Sequence, residues 1–279
     1  MRFKGPLAIL AAATLFGTSG VFVKSISLPP TAITALRLIV PSVVLLSTQR
    51  DIRTRLLSSP NKTLLIASIF TSLRIFFWVL GLMFAPMSKA VFILYVWPIL
   101  FTILNARFLK ENVPRRTKLL LLVAFAGIVT MYSTEEISLN NRDMIGMSCM
   151  LIVACISAGV LTVFKKELAR HSPLEILMYD NLVGSILFLP FLLYYANQFT
   201  PSSALIGSAY GITLGLGAYG LLFYGLSKVR GSSVSVLSYV EVVIATILGV
   251  TIFHEEVTWR MLLGGAMIIF AAAMVREEA

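Results

Sequence analysis

Of the chain's 279 residues, 58% are hydrophobic and only 13% charged, and the mean hydropathy is strongly positive. Apolar runs of about 18 to 22 residues recur along it, each long enough to cross a ~30 Å hydrocarbon layer as a helix, which excludes a soluble protein with an unusually apolar core; membrane strands would be shorter and alternating. The formal charge of +10 calls for explanation by loop position and not by nucleic acid, because no polar module with interleaved aromatic residues is present to bind one.

The first span is expected over about Gly5 to Val23. Lys24 and the Pro29-Pro30 turn follow it without a small-residue cleavage site, so it reads as a retained helix and not as a signal peptide. A second span is expected from about Thr31 to Ser47, then a polar stretch from Gln49 to Lys62, then a third span from about Thr63 to Phe84 ended by Ala85-Pro86-Met87. A fourth covers about Ser88 to Leu109, and a fifth about Leu119 to Ser133 beyond a basic loop. The polar linker Glu135 to Asp143 divides the chain into units 1–136 and 137–279. Five more spans are expected at about Met144 to Phe164, Pro173 to Ala196, Ala204 to Ser227, Ser232 to Phe253 and Thr258 to Val275.

The two units repeat one another. Shifted by 144 residues, Leu94 to Leu119 lies without a gap on Ser238 to Leu263 and matches at nine of 26 positions, among them Tyr95 with Tyr239, Thr102 with Thr246 and Glu111 with Glu255. Gly81 falls on Gly225 under the same shift, so the likeness extends upstream and marks a duplication. Units with an odd number of spans enter the membrane from opposite sides. The expected fold class is therefore an all-α integral membrane protein of ten transmembrane helices in two inverted five-helix repeats, an arrangement characteristic of secondary transporters. With the amino terminus inside, 17 of the 23 Lys and Arg fall on the inner side and only Lys24, Lys89, Arg142 and Arg260 on the outer, which places both termini in the cytoplasm.

The chain resembles the EamA-like branch of the drug/metabolite transporter superfamily over essentially its whole length. The resemblance rests on Pro98, Leu109-Lys110-Glu111 and Gly127 in the first unit, on Tyr239-Val240-Glu241, His254-Glu255 and Gly264-Gly265 in the second, and on Arg37 in the second span. Lys110 and His254 stand where that family commonly has glycine before Glu, and Val242 stands where it commonly has proline.

Ionisable residues inside spans are the informative ones, because a charge in hydrocarbon is costly unless paired or facing water. Four qualify: Arg37, Arg74, Asp180 and Glu241. Arg37 and Asp180 fall at near-equivalent places in the two repeats, either as an ion pair, as polar anchors near opposite faces, or in contact with substrate. Arg74 lies near the midplane with Phe70, Trp78 and Gly81 at helical spacing, a face suited to a carboxylate-bearing solute; the alternative is an internal ion pair with Glu241. Glu241 occupies the repeat position of Trp97, with Ser238, Ala245 and Gly249 on its face, and is a candidate either to carry a coupling proton or to neutralise Arg74. Tyr219 and Tyr239 complete the candidate substrate contacts, although the glycines around Tyr219 and Tyr224 are read first as helix packing.

Cys149 and Cys155 point to different helix faces, His171 and His254 have no ligand cluster, and no GxxxxGK[ST] loop is present. No metal site, cofactor or enzymatic centre is expected. The reading is a secondary carrier of a small organic metabolite, amino acid-like, zwitterionic or amphipathic, in the inner (plasma) membrane; the resemblance favours export. A channel or a non-transporting membrane scaffold is the alternative. The expected partners are a small-molecule substrate and the lipid bilayer, with a homodimer left open and nucleic acid excluded.

Overall fold

The computed structural model describes residues 4–58, 60–84, 93–133, 141–254 and 256–275, and within them every regular element is helical. Helices α1 (Lys4–Gly17) and α2 (Ser19–Ser25) make up the first predicted span. They are separated at Thr18, whose hydroxyl turns back onto the Leu15 carbonyl at 2.7 Å. Helix α3 (Pro30–Thr48) begins on proline, whose fixed φ suits a first turn, and carries a second, Pro41, inside it. Helix α4 (Arg50–Ser58) occupies the stretch expected to be a polar loop. Ile52 and Leu56 lie four residues apart there, and burying that short stripe among arginines suffices to fold one more helix.

Helices α5 (Lys62–Phe84), α6 (Trp97–Phe108), α7 (Arg115–Tyr132), α8 (Asn141–Glu167) and α9 (Pro173–Tyr194) follow. The eighth predicted span is composite: α10 (Pro201–Tyr210), a π-helical segment Gly211–Ala218, and α11 (Tyr219–Leu226). The ninth divides at Tyr239 into α12 (Gly231–Ser238) and α13 (Val240–Phe253), and α14 (Trp259–Ala273) comes last. Among the described residues seven helical stretches are long and apolar enough to cross a membrane; described helices also stand at the other three predicted positions, as α6, α7 and α14. The beginning of the fourth predicted span (85–92) and most of the predicted linker (134–140) lie outside the described residues.

Residues of the two halves meet in space, some of them 143 or 144 positions apart. Between α3 and α9, Arg37 Nη1 donates to Asn181 Oδ1 at 3.1 Å, and the Ser42 and Ser185 hydroxyls are 2.7 Å apart. Where the ninth span divides, the Tyr239 hydroxyl donates to the Tyr95 carbonyl at 3.0 Å. Between α6 and α12, Thr102 Oγ1 donates to Ser235 Oγ at 2.8 Å. Helices α7 and α14 touch through glycine: a Cβ on Gly127 would stand 2.7 Å from the Gly264 carbonyl oxygen. Arg116 reaches Met274 at one end of that pair and Arg260 reaches Ser133 at the other, so the two helices run antiparallel.

Polar side chains in the interior are mostly consumed locally. The hydroxyls of Thr34, Thr71, Ser72, Thr162 and Ser238 each bond the carbonyl four residues earlier. The turns after α6 and α13 share a conformation as well as a sequence: Lys110 (φ 53°) and His254 (φ 55°), 144 apart, are both left-handed, the region glycine enters most easily. Glu111, next along, accepts the Gly231 backbone N–H at 2.6 Å and stands 3.9 Å from the Lys165 ammonium, tying the α6 turn to the start of α12 and to α8.

Candidate functional site

A cavity of about 100 Å³ lies in the interior between α1, α3, α5, α8 and α11, closed at one side by Trp97 at the start of α6 and by Ser238 and Glu241 around the break in the ninth span. The π-helical segment positions its central residue. Gly211 and Gly215 lie against α3, where added Cβ atoms would meet the Leu36 and Arg37 carbonyl oxygens at 3.0 Å, so the widened helix presses close to α3 and delivers Tyr219 opposite Arg37. Such π segments cluster at functional sites.

Tyr219 takes both guanidinium groups. The Arg37 guanidinium carbon lies 4.6 Å from the centre of its ring and that of Arg74 lies 5.6 Å away. Arg74 Nη2 also donates to the Tyr219 hydroxyl. Phe16 closes the ring's edge at 4.9 Å in a T-shaped contact. Trp78 from α5, one turn after Arg74, and Trp97 add aromatic wall, while Ser19, Thr71, Ser157 and Ser238 supply small polar groups. The cavity thus offers two planar cations, one carboxyl at Glu241, and aromatic faces between them: charge-assisted, potentially bidentate hydrogen bonding beside stacking surface.

Most of the residues expected from sequence converge here. Arg37, Arg74, Trp78, Trp97, Tyr219 and Glu241 all line the cavity. Among the described residues no ion pair joins Arg74 to Glu241; Arg74 reaches Tyr219 instead. Two expected residues stand behind the lining. Tyr239 is fully buried against Tyr95, whose side chain in turn reaches toward Glu241, so it acts on the cavity from behind. Asp180 is fully buried, with Arg37 and Arg74 as its charged neighbours and the Thr71 side chain beside its carboxyl group. Arg37 bonds Asn181, the neighbour of Asp180.

The face drawn around Arg74 needs correction at two places. Phe70 is exposed on the outer surface of the bundle, and Gly81 packs against α8, where a Cβ would meet Met150. Phe16, Tyr210, Thr71 and Asn181 were not singled out by sequence; Phe16 and Tyr210 are single aromatics in apolar runs, and only the fold distinguishes them from lipid-facing ones.

A bundle of apolar helices that encloses a charged cavity between segments from both halves of its chain is a membrane transport protein. The chain belongs to the EamA-like transporter family, whose model matches it twice, over residues 3–133 and 144–276. It is 28% identical to an uncharacterized transporter of Archaeoglobus fulgidus across 100% of this chain and 98% of that protein. It is 29% identical to the S-adenosylmethionine uptake transporter of Rickettsia prowazekii, over 71% of this chain and 65% of the relative. A crystal structure at 20% identity covers 98% of this chain and 96% of its own with a TM-score of 0.78, a likeness of fold.

Proposed function

We propose that the protein is a secondary carrier for a small organic metabolite that bears a carboxylate together with an apolar or cationic part, an amino acid-like solute, and that it works by alternating access between two inverted five-helix units. The observation that carries the substrate class is the convergence of Arg37 and Arg74 on Tyr219, in a cavity that holds Glu241 and two tryptophans. A carboxylate takes Arg74, an ammonium or sulfonium faces Glu241 and the aromatic walls, and the remainder stacks between Trp78 and Trp97.

The inverted arrangement is supported by contacts between positions 144 apart and by antiparallel pairing of α7 with α14, as expected where a pseudo-two-fold axis passes between equivalent helices. Ten spans, cytoplasmic termini and an exporting direction complete the reading; the first two follow from the repeat and the basic loops, the last from the family. S-adenosylmethionine, an amino acid carrying a sulfonium and an aromatic base, belongs in the test panel because one relative is named for it.

The test is uptake and counterflow in proteoliposomes with labelled amino acids, S-adenosylmethionine and a dicarboxylate. Saturable flux with trans-stimulation by a carboxylate-bearing zwitterion is the expected outcome. Flux that does not saturate overturns the carrier, and preference for a solute without a carboxylate overturns the role of Arg74.

A further inference from the structure

The densest cluster of titratable groups outside the cavity lies at the turn between α8 and α9, against the foot of α5. Asn61 Oδ1 accepts the backbone N–H groups of Thr63 and Leu64 at 2.9 and 3.2 Å, capping α5. Its Nδ2 therefore points outward as a donor, to Glu167 Oε2 at 3.1 Å and to His171 Nε2 at 2.9 Å. On the other side of the ring, His171 Nδ1 is 2.8 Å from Glu175 Oε1. Tyr179 fastens the same place by accepting the Asn61 backbone N–H at 2.9 Å.

These contacts fix the tautomer. An amide NH2 only donates, so His171 Nε2 must accept, which leaves the proton on Nδ1 to be donated to Glu175. The arrangement belongs to neutral histidine. A second proton on Nε2 would face the Asn61 NH2 donor to donor, and Asn61 cannot flip its amide without uncapping α5. Glu167 Oε2, 3.6 Å from Nε2, is the group that would take the new N–H. Other charged side chains close in sequence or on packed elements, Lys62, Lys166, Arg170 and, on α4, Arg50, Asp51 and Arg53, are exposed.

We propose that His171 is a proton-binding site distinct from the cavity: its protonation folds the α8–α9 turn onto its own two glutamates and releases the foot of α5, the helix that carries Arg74 and Trp78. Asn61 lies in the first family-matched segment and His171 in the second, so the contact made or broken joins the two halves on the side where the basic loops cluster. Control of transport by acid on that side rests on the carrier reading above; the proton switch itself does not.

With only two histidines in the chain, a His254→Gln background leaves a single imidazole to observe. Nitrogen-15 NMR of the full-length protein in nanodiscs is expected to give the Nδ1–H tautomer at pH 8 and an imidazolium once acid has protonated the ring. Amide exchange at Thr63 and Leu64, corrected for its intrinsic pH dependence, should quicken about fivefold as the ring titrates, the weight of one hydrogen bond, and His171→Gln should abolish that change. An Nε2–H tautomer at pH 8, unchanged protection through the titration, or the same change in His171→Gln would each overturn the proposal. If no solute in the panel is carried, the carrier reading fails while these two measurements still decide the switch.

Discussion

Removing the Tyr219 hydroxyl is expected to tighten substrate binding. That hydroxyl is the hydrogen-bond acceptor of Arg74, so a solute carboxylate that takes Arg74 must displace it. Tyr219→Phe deletes one bond to a charged group, about 1.5–3 kcal/mol by the usual measure, from the unbound state alone. It keeps the ring beneath Arg37 at 4.6 Å and Arg74 at 5.6 Å, and with it cation–π contacts worth about 0.5–2 kcal/mol each. Water entering beside the freed guanidinium recovers part of the lost bond, which leaves a net gain of up to about 1.4 kcal/mol, or tenfold in Kd. Tyr219→Ala removes the ring as well and should weaken binding by about tenfold or more. Titration calorimetry of the purified carrier with its best counterflow substrate reads both. A tenfold loss in Tyr219→Phe with unchanged thermal stability would mean that the hydroxyl contacts the solute itself, and would refute the competition described here.

Other outcomes follow from single contacts. Glu241→Gln should keep counterflow but lose accumulation driven by a pH gradient; full proton-dependent accumulation in that variant would remove Glu241 from coupling. Gly264→Ala places a methyl group against the Gly127 carbonyl, backbone that cannot yield, and should cost about 1–3 kcal/mol in detergent unfolding, whereas Gly265→Ala, with nothing within 4 Å of the new carbon, should be close to neutral. Lys110→Gly relieves a left-handed residue, and the relief of about 1–2 kcal/mol exceeds the roughly 0.5–1 kcal/mol of added chain entropy, so a modest rise in melting temperature is expected.

How much of this was legible in the sequence depended on the kind of signal. Long apolar runs, the prolines at Pro30 and Pro173 and the 144-residue repeat located the helices to within a few residues. Helix α4 escaped because a stripe of two residues, Ile52 and Leu56, does not stand out among arginines. The four intramembrane charges led to the cavity because hydrocarbon tolerates so few. Side-chain direction was harder to read: Phe70 and Phe16 are equally apolar, yet one faces outward at 48% exposure and the other lines the cavity. Ahead of Tyr219 the ordinary 3.6-residue period fails, since the π-helical segment Gly211–Ala218 changes the register of everything after it. The glycines read as packing residues do pack, at Gly211 and Gly215 against α3.

The meeting of Arg37 with Asn181 bears on why the chain is one polypeptide. Two identical half-length subunits related by a two-fold axis would bring residue 37 of one copy against residue 37 of the other. Arginine would then face arginine in a dry interior, an arrangement that favours neutral residues at such a contact. Joining the halves lets the two sides of one contact mutate independently. A guanidinium is tolerated between the halves once its opposite number is an amide with a carboxylate beside it.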